Sequence, residues 1–326
     1  MSLVRIVPAG SHPLAELGQL SESARRYAAE QHSKATRRGY ASDWRQLAKW
    51  ATAQGLEAEL IEDVQLASYL AHLADLGKAP ATIDRAARGI GARLRQIEHG
   101  WGLGPESRRV LIGIRRTSTW RSRAKRALTA SELRVVLEHA GDGRLGLRNR
   151  ALFLLGFAGG FRRAELVALN VSDLTFGAEG LRVALRRSKT DQEGRGQEKG
   201  IMRGKRGDVC PVASVRAWLD DTGATDDDPV FTAVGRWERL PNGELRRLSA
   251  VMVKYALASA CRRAGLGSAE YGGHSLRSGF VTQAAAQGKA IADIMRQTGH
   301  RSLAQVQRYI RHGTVFIRNA SEGILG

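Results

Sequence analysis

From about residue 24 to residue 115, apolar side chains recur at helical spacing and each run ends at a glycine, which commits this part of the chain to packed helices. Tyr40, Trp44, Leu47 and Trp50 step along one face and stop at Gly55. VQLASYLAHLADLG forms a second run that closes at Gly77, and Ile83, Ala86, Ile90, Leu94 and Ile97 form a third before Gly100. Stripes of this kind bury only against one another, so the spacing predicts a four- or five-helix bundle over residues 21–115. Residues 1–20, polar and broken by Pro and Gly, are expected to be a flexible lead-in.

The stretch RRTSTWRSRAKR, residues 115–126, holds six basic residues in twelve and no acidic one. Such a composition resists burial, and 116–126 reads as a basic linker. A helix start follows at once, because Thr129 and Glu132 in LTASEL have the spacing of a capping box. A second domain over 127–326 is therefore expected. Its RALFLLGFAG segment is apolar enough for the centre of a core, and LTFGAEGLRVALRRSKTDQEG alternates around GAEG as a small β-hairpin does. After Pro211 the pattern is helical again, apart from a loop expected over 221–247. The whole chain thus reads as mainly α with a small β-sheet, a helical N-terminal domain followed by a mixed α+β domain.

Fifty-one Lys and Arg against 32 Asp and Glu leave a net charge of +19. The excess is shared: 21 basic and 12 acidic residues precede residue 127, and 30 and 20 follow, so the parts carry +9 and +10. Two basic domains point to a polyanion met by both, duplex nucleic acid before a membrane surface. No apolar run is long enough to span a bilayer and no signal-peptide core opens the chain, so a cytoplasmic location is expected. Cys210 and Cys261 have no CxxC spacing and read as core fillers. The nucleotide, dinucleotide and zinc-peptidase motifs are missing, and no cofactor or metal is expected.

The segment GHRSLAQVQRYIR, residues 299–311, puts Leu303, Val306 and Ile310 on one helical face with Tyr309 at its edge among cations. A solvated basic face would account for this segment alone. The second domain, however, also carries GGFRRAEL with Arg162, RRSKTDQ with Lys189, GHSLRSG with His274 and Arg277, and TGH with His300. Gathered in space, these residues would supply what phosphoryl transfer between two alcohols requires. Fixed cations stabilise the charge that builds on the equatorial oxygens, a lysine can protonate a departing alkoxide, and a phenol can attack. His274 and Arg277, three residues apart at a helix start, share one side. His300 is expected just ahead of a helix beginning near Ser302, at the end that attracts anions. Glu165, one turn after Arg162, either holds that guanidinium or forms an ordinary surface pair.

In this order, with 23 residues from Arg277 to His300 and nine from His300 to Tyr309, the set resembles the tyrosine recombinases of the phage-integrase family, of the simple Cre- or Xer-like type. The resemblance covers about residues 22–315. It implies a helical core-binding (SAM-like) domain and a mixed α+β catalytic domain closing on DNA as a clamp. It implies further that Tyr309 attacks a scissile phosphate to give a 3′-phosphotyrosyl link, with Lys189 as general acid. Arg162, Arg277 and His300 would brace the phosphate, His274 would assist proton movement or binding, and strands would exchange through a Holliday junction without ATP. The implied partners are double-stranded DNA sites and a homotetramer assembled on two of them. Phe161 stands where the family commonly has leucine and Ala164 where serine is frequent.

For contact with DNA, the candidates are Arg37, Arg38, Arg85 and Arg88 near helix starts, with Arg121, Arg123, Lys125 and Arg126 of the basic segment. A solvated face would explain each of these singly. The tail 315–326 holds Phe316, Ile317 and Ile324, apolar residues that would dock on a neighbouring protomer, as the family resemblance implies; a frayed end is the other reading. Two other functions fit parts of this pattern: a type IB topoisomerase, which rejoins the same strand, and a DNA-binding regulator that has lost its chemistry. Joining of strands from two duplexes separates the first, and loss of activity in Tyr309→Phe the second.

Overall fold

In the computed structural model, the residues described are 21–29, 31–97, 101–120, 125–186, 196–236 and 238–313. Cα proximity divides the chain into two compact units, Met1–Arg123 and Ala124–Gly326. The described residues are mostly helical, with one small sheet.

The first unit contains α1 (Glu22–Ala29), α2 (Lys34–Ala53), α3 (Asp63–Asp75), α4 (Pro80–Ile97) and α5 (Pro105–Thr117). The Ser33 hydroxyl caps α2 by accepting from the Thr36 N–H at 3.2 Å. Pro105 opens α5 where a missing N–H costs nothing. The Asp63 carboxylate at the head of α3 accepts from the Gly104 and Glu106 N–H groups at 2.9 and 2.8 Å, so one helix start ties off another. Leu47, Leu66, Leu70, Ile83, Ile90 and Leu94 fill the centre, and Trp44, Trp50 and Trp101 pack around it. The periodic residues noted in the sequence are thus mostly the core, although Tyr40 is only half-buried and Ile97 is exposed.

The second unit opens with α6 (Ala130–Glu138), whose Thr129–Glu132 capping box forms as the sequence indicates. α7 (Gly143–Ala158) is buried nearly all round, with Leu152, Phe153 and Leu155 fully covered. The short α8 (Arg163–Ala168) leads into an antiparallel sheet of β1 (Leu174–Phe176), β2 (Gly180–Leu185) and β3 (Gln197–Met202), in that spatial order. Val183 lies opposite Leu174 on one side and Lys199 on the other. α9 (Pro211–Thr222) packs Val212, Val215 and Trp218 on the same core. The segment expected as a loop over 221–247 begins in the last residues of α9 and beyond them holds isolated antiparallel bridges among its described residues, such as Thr232 with Arg247.

α10 (Ala250–Arg263), α11 (Ser275–Ala286), α12 (Ile291–Thr298) and α13 (Leu303–Gly313) complete the unit. A small second core of Val281, Ala284, Ile294 and Val306 joins α11, α12 and α13, with Tyr309 packed against it. This corrects the stripe expected on the last helix. Val306 is fully buried, but Leu303 is 48% exposed, and the aromatic body of Tyr309 contributes to the packing from what read as the edge.

Candidate active site

Arg162 stands at the start of α8, after the turn Gly159–Gly160–Phe161. Gly160 has φ +54°, and a Cβ there would meet Thr298 Cγ2 at 2.8 Å, so the turn can lie this close to the end of α12 only as glycine. The Glu165 carboxylate accepts from the Arg162 N–H at 2.9 Å and pairs with its guanidinium. Of the two readings left open for Glu165, the structure selects the first: the pair is largely buried, with side chains 18% and 4% exposed.

Arg277, on the first turn of α11, is 1% exposed. Its Nη1 donates to the Gly160 carbonyl at 2.8 Å, and its Nη2 has no hydrogen-bond partner among the described residues. Burial, then the neighbouring Arg162, pull its pKa down to about 10, which still leaves it charged at neutral pH. An unpaired buried guanidinium donor is costly, and a bound anion is the group that would satisfy it.

His274 occupies the N-cap position of α11 without a side-chain capping bond, is exposed to solvent, and has its Nε2 2.9 Å from the Tyr309 hydroxyl. The Tyr309 ring sits between two imidazoles, with centroids 6.2 Å from His274 and 6.1 Å from His300. His300 is buried, and its Nδ1 lies 2.7 Å from the Thr298 hydroxyl. Thr298 spends its only hydroxyl proton on the Ile294 carbonyl at 2.6 Å, so Nδ1 of His300 must be the donor. Any further proton therefore goes to Nε2. Burial, then the charges of Arg277, Arg162, His274 and Lys199, hold the His300 pKa down to about 3. The imidazole is neutral in the free protein.

Arg162, His274, Arg277, His300 and Tyr309 are thus brought together by α8, α11 and α13 within the second unit. Lys189 lies outside the described residues, between β2 and β3. Sequence reasoning missed Thr298 and Lys199. The Lys199 Nζ, 1% exposed, donates to the Gly159 carbonyl at 2.9 Å. Its signal was available: in the alternation of β3 it occupies an inward position between Gln197 and Ile201.

In the first unit, Arg37, Arg38 and Arg88 line a groove of ≈ 1170 Å³ together with Tyr40, Trp44 and Arg93. Cations interleaved with aromatic rings suit a nucleic-acid backbone. Arg85 has a different place: it pairs with the buried carboxylate of Asp43. Arg121 and Arg123 lie outside the described residues. Lys125 donates to the Ala269 carbonyl and Arg126 pairs with Glu132 at 2.6 Å.

Residues 126–314 match the sequence profile described as the phage integrase family. Over 312 residues the chain is 33% identical to an integrase/recombinase xerD homolog of Selenomonas ruminantium, covering 93% of this chain and 89% of that protein. This chain belongs to the phage integrase family. It is accordingly a tyrosine recombinase, an enzyme of site-specific recombination that breaks and rejoins DNA. The tyrosine recombinase XerC of Mycobacterium bovis is 27% identical over 297 residues, with 88% and 91% of the two chains covered. Among solved structures, the XerH site-specific recombinase bound to its palindromic difH substrate aligns with a TM-score of 0.66 at 17% identity, over 89% of this chain and 80% of that one. The Tn1549 transposon integrase in complex with transposon right end DNA aligns at 0.62 and 14% identity, over 88% and 92%. These two likenesses show that this integrase shares their fold.

Proposed function

We propose that Tyr309 is the nucleophile and that Arg162, His274, Arg277 and His300 surround the scissile phosphate of a double-stranded DNA site. The phenolic oxygen forms a bond to phosphorus, the bond from phosphorus to the 5′ oxygen breaks, and the phenolic proton passes toward His274. Lys189 delivers a proton to the leaving 5′ oxygen. The product is a 3′-phosphotyrosyl link that a 5′-hydroxyl from a second duplex reverses, which exchanges strands through a Holliday junction. The observation that carries this reading is the Tyr309 hydroxyl 2.9 Å from His274, beside the buried Arg277 guanidinium with an unsatisfied donor.

The phosphate itself completes the site. Burial and then the neighbouring cations keep the second proton off His300; the phosphate's negative charge offsets them, so the imidazole can take that proton at Nε2 and donate it to a phosphate oxygen. Arg162 and Arg277 stabilise the extra charge of the transition state more than the ground state.

Arg37, Arg38 and Arg88 supply phosphate contacts from the first unit. Arg121, Arg123, Lys125 and Arg126 add more along the basic segment, with the last two exchanging their present partners for DNA. Recombination proceeds in a homotetramer on two sites, held by the tail 315–326, which lies outside the described residues. The enzyme works in the cytoplasm, on the nucleoid when bound. A nicked duplex that loses its 5′-hydroxyl strand on cleavage traps the covalent adduct. The adduct is expected for the native protein and absent for Tyr309→Phe; an adduct that persists in the variant refutes the assignment.

A further inference from the structure

A lysine held 1% exposed is an anomaly that the reaction described above does not use. Among the described residues Lys199 has no ion-pair partner of its own, and the nearby Glu165 is engaged by Arg162. Instead its Nζ donates to the Gly159 carbonyl at 2.9 Å and lies 4.5 Å above the centre of the Phe161 ring. Both residues belong to the turn that ends in Arg162. The next carbonyl, Gly160, accepts from Arg277 at 2.8 Å. One turn is therefore gripped from two sides, by a guanidinium that faces the site and by an ammonium on β3.

β3 is fixed in its turn. Gln197 Nε2 donates to the Arg296 carbonyl at 2.7 Å, and Gln297 Nε2 donates to the Gly200 carbonyl at 3.0 Å. This strand is also the return arm of the hairpin whose connecting residues include Lys189. Resting on the assignment of Tyr309 and Lys189 made above, we propose that Lys199 is a positioning residue that locks the β2–β3 hairpin to the Gly159–Arg162 turn, so that the phosphate-bracing arginines and the hairpin holding the general acid keep one register.

The lock is sensitive to pH. The groups facing Lys199 are Glu165 and Arg162 of α8, Arg277 of α11, and His300 between α12 and α13. Burial, against the pull of Glu165 and with the push of Arg277 and Arg162, brings its pKa down to about 7. The charged form binds both the carbonyl and the ring more strongly than the neutral amine. Rising pH therefore loosens the lock, and a DNA phosphate, by adding negative charge nearby, tightens it.

The test is single-turnover cleavage of the nicked duplex by the full chain at saturating DNA, from about pH 6 to about pH 9 to bracket the lysine. For Lys199→Met, duplex affinity and melting temperature are expected to stay near those of the native chain while cleavage falls roughly 10- to 100-fold, the size of a misplaced catalytic group. The alkaline decline of the native profile should vanish, and Lys199→Arg should recover part of the rate. Should the methionine variant fail to fold, Phe161→Leu serves: removing the ring should shift the alkaline decline to lower pH. A methionine variant that cleaves like the native chain with the same pH profile, or a leucine variant with an unshifted profile, overturns the proposal. Tyr309→Phe run alongside separates the two readings, since an adduct surviving there rejects the nucleophile and leaves the Lys199 rates interpretable.

Discussion

A neutral histidine in a nest of cations is the residue-scale feature with the sharpest consequence. In the free protein His300 should titrate near 3 instead of its ordinary 6.5. Between those values the unfolded chain holds the proton and the folded chain does not. Acidification across that window therefore lowers stability, by up to about 1.4 kcal/mol per pH unit for this one group. Adding duplex or a phosphate analogue should raise the His300 pKa, and imidazole resonances followed by NMR titration check it; a value unmoved by DNA contradicts its role at the phosphate. Lys189→Ala should lower cleavage by roughly 10²–10⁴-fold, the range for a lost general acid. A duplex whose leaving oxygen is replaced by sulfur departs without protonation, so it should restore most of the variant's rate, and no restoration would remove Lys189 from that role. Arg162, His274, Arg277, His300 and Tyr309 could be singled out because their spacings survive as motifs at the start of α8, on α11 and on and just ahead of α13. Thr298 was not, because its part depends on where one hydroxyl proton goes, which only the carbonyl of Ile294 decides.

At the scale of elements, α2 and α4 carry two kinds of arginine that composition cannot tell apart. Arg88 faces the groove with Arg37 and Arg38, whereas Arg85 neutralises Asp43, whose carboxyl burial pushes up and Arg85 pulls down. Arg88→Ala should leave melting unchanged and cut the slope of log affinity against log salt by about 0.9. Arg85→Ala should cost about 1–3 kcal/mol of stability by stranding a buried carboxylate. Thermal melts and salt titrations of the two variants distinguish them, and identical behaviour would show that the pairing does not govern either. The helices themselves could be read from runs stopped at glycine and from the Thr129–Glu132 box. The face of α13 was harder, because Tyr309, the proposed nucleophile, also packs against the small second core, whereas Leu303 is exposed. Lys199 was passed over because a lysine beside a turn reads as solvent-facing until the register with Val183 turns it inward.

For the whole molecule, one acid-free segment and the capping box after it set the expected boundary at 116–126, and Cα proximity divides the chain into Met1–Arg123 and Ala124–Gly326. Assembly is not written in any local pattern, since the proposed docking of the tail would depend on a second copy. Removing residues 315–326 should abolish recombination between two duplexes while sparing binding to a single site; recombination by the shortened chain would reject that part. The claim on which the rest depends is that the fold delivers one phenolic oxygen to a phosphorus held by fixed cations. Trapping the covalent complex on a nicked duplex, digesting it and locating the nucleotide by mass spectrometry tests this directly. The expected result is a 3′-phosphoryl group on the peptide containing Tyr309; a nucleotide on any other residue, or attached through its 5′ end, would contradict the account.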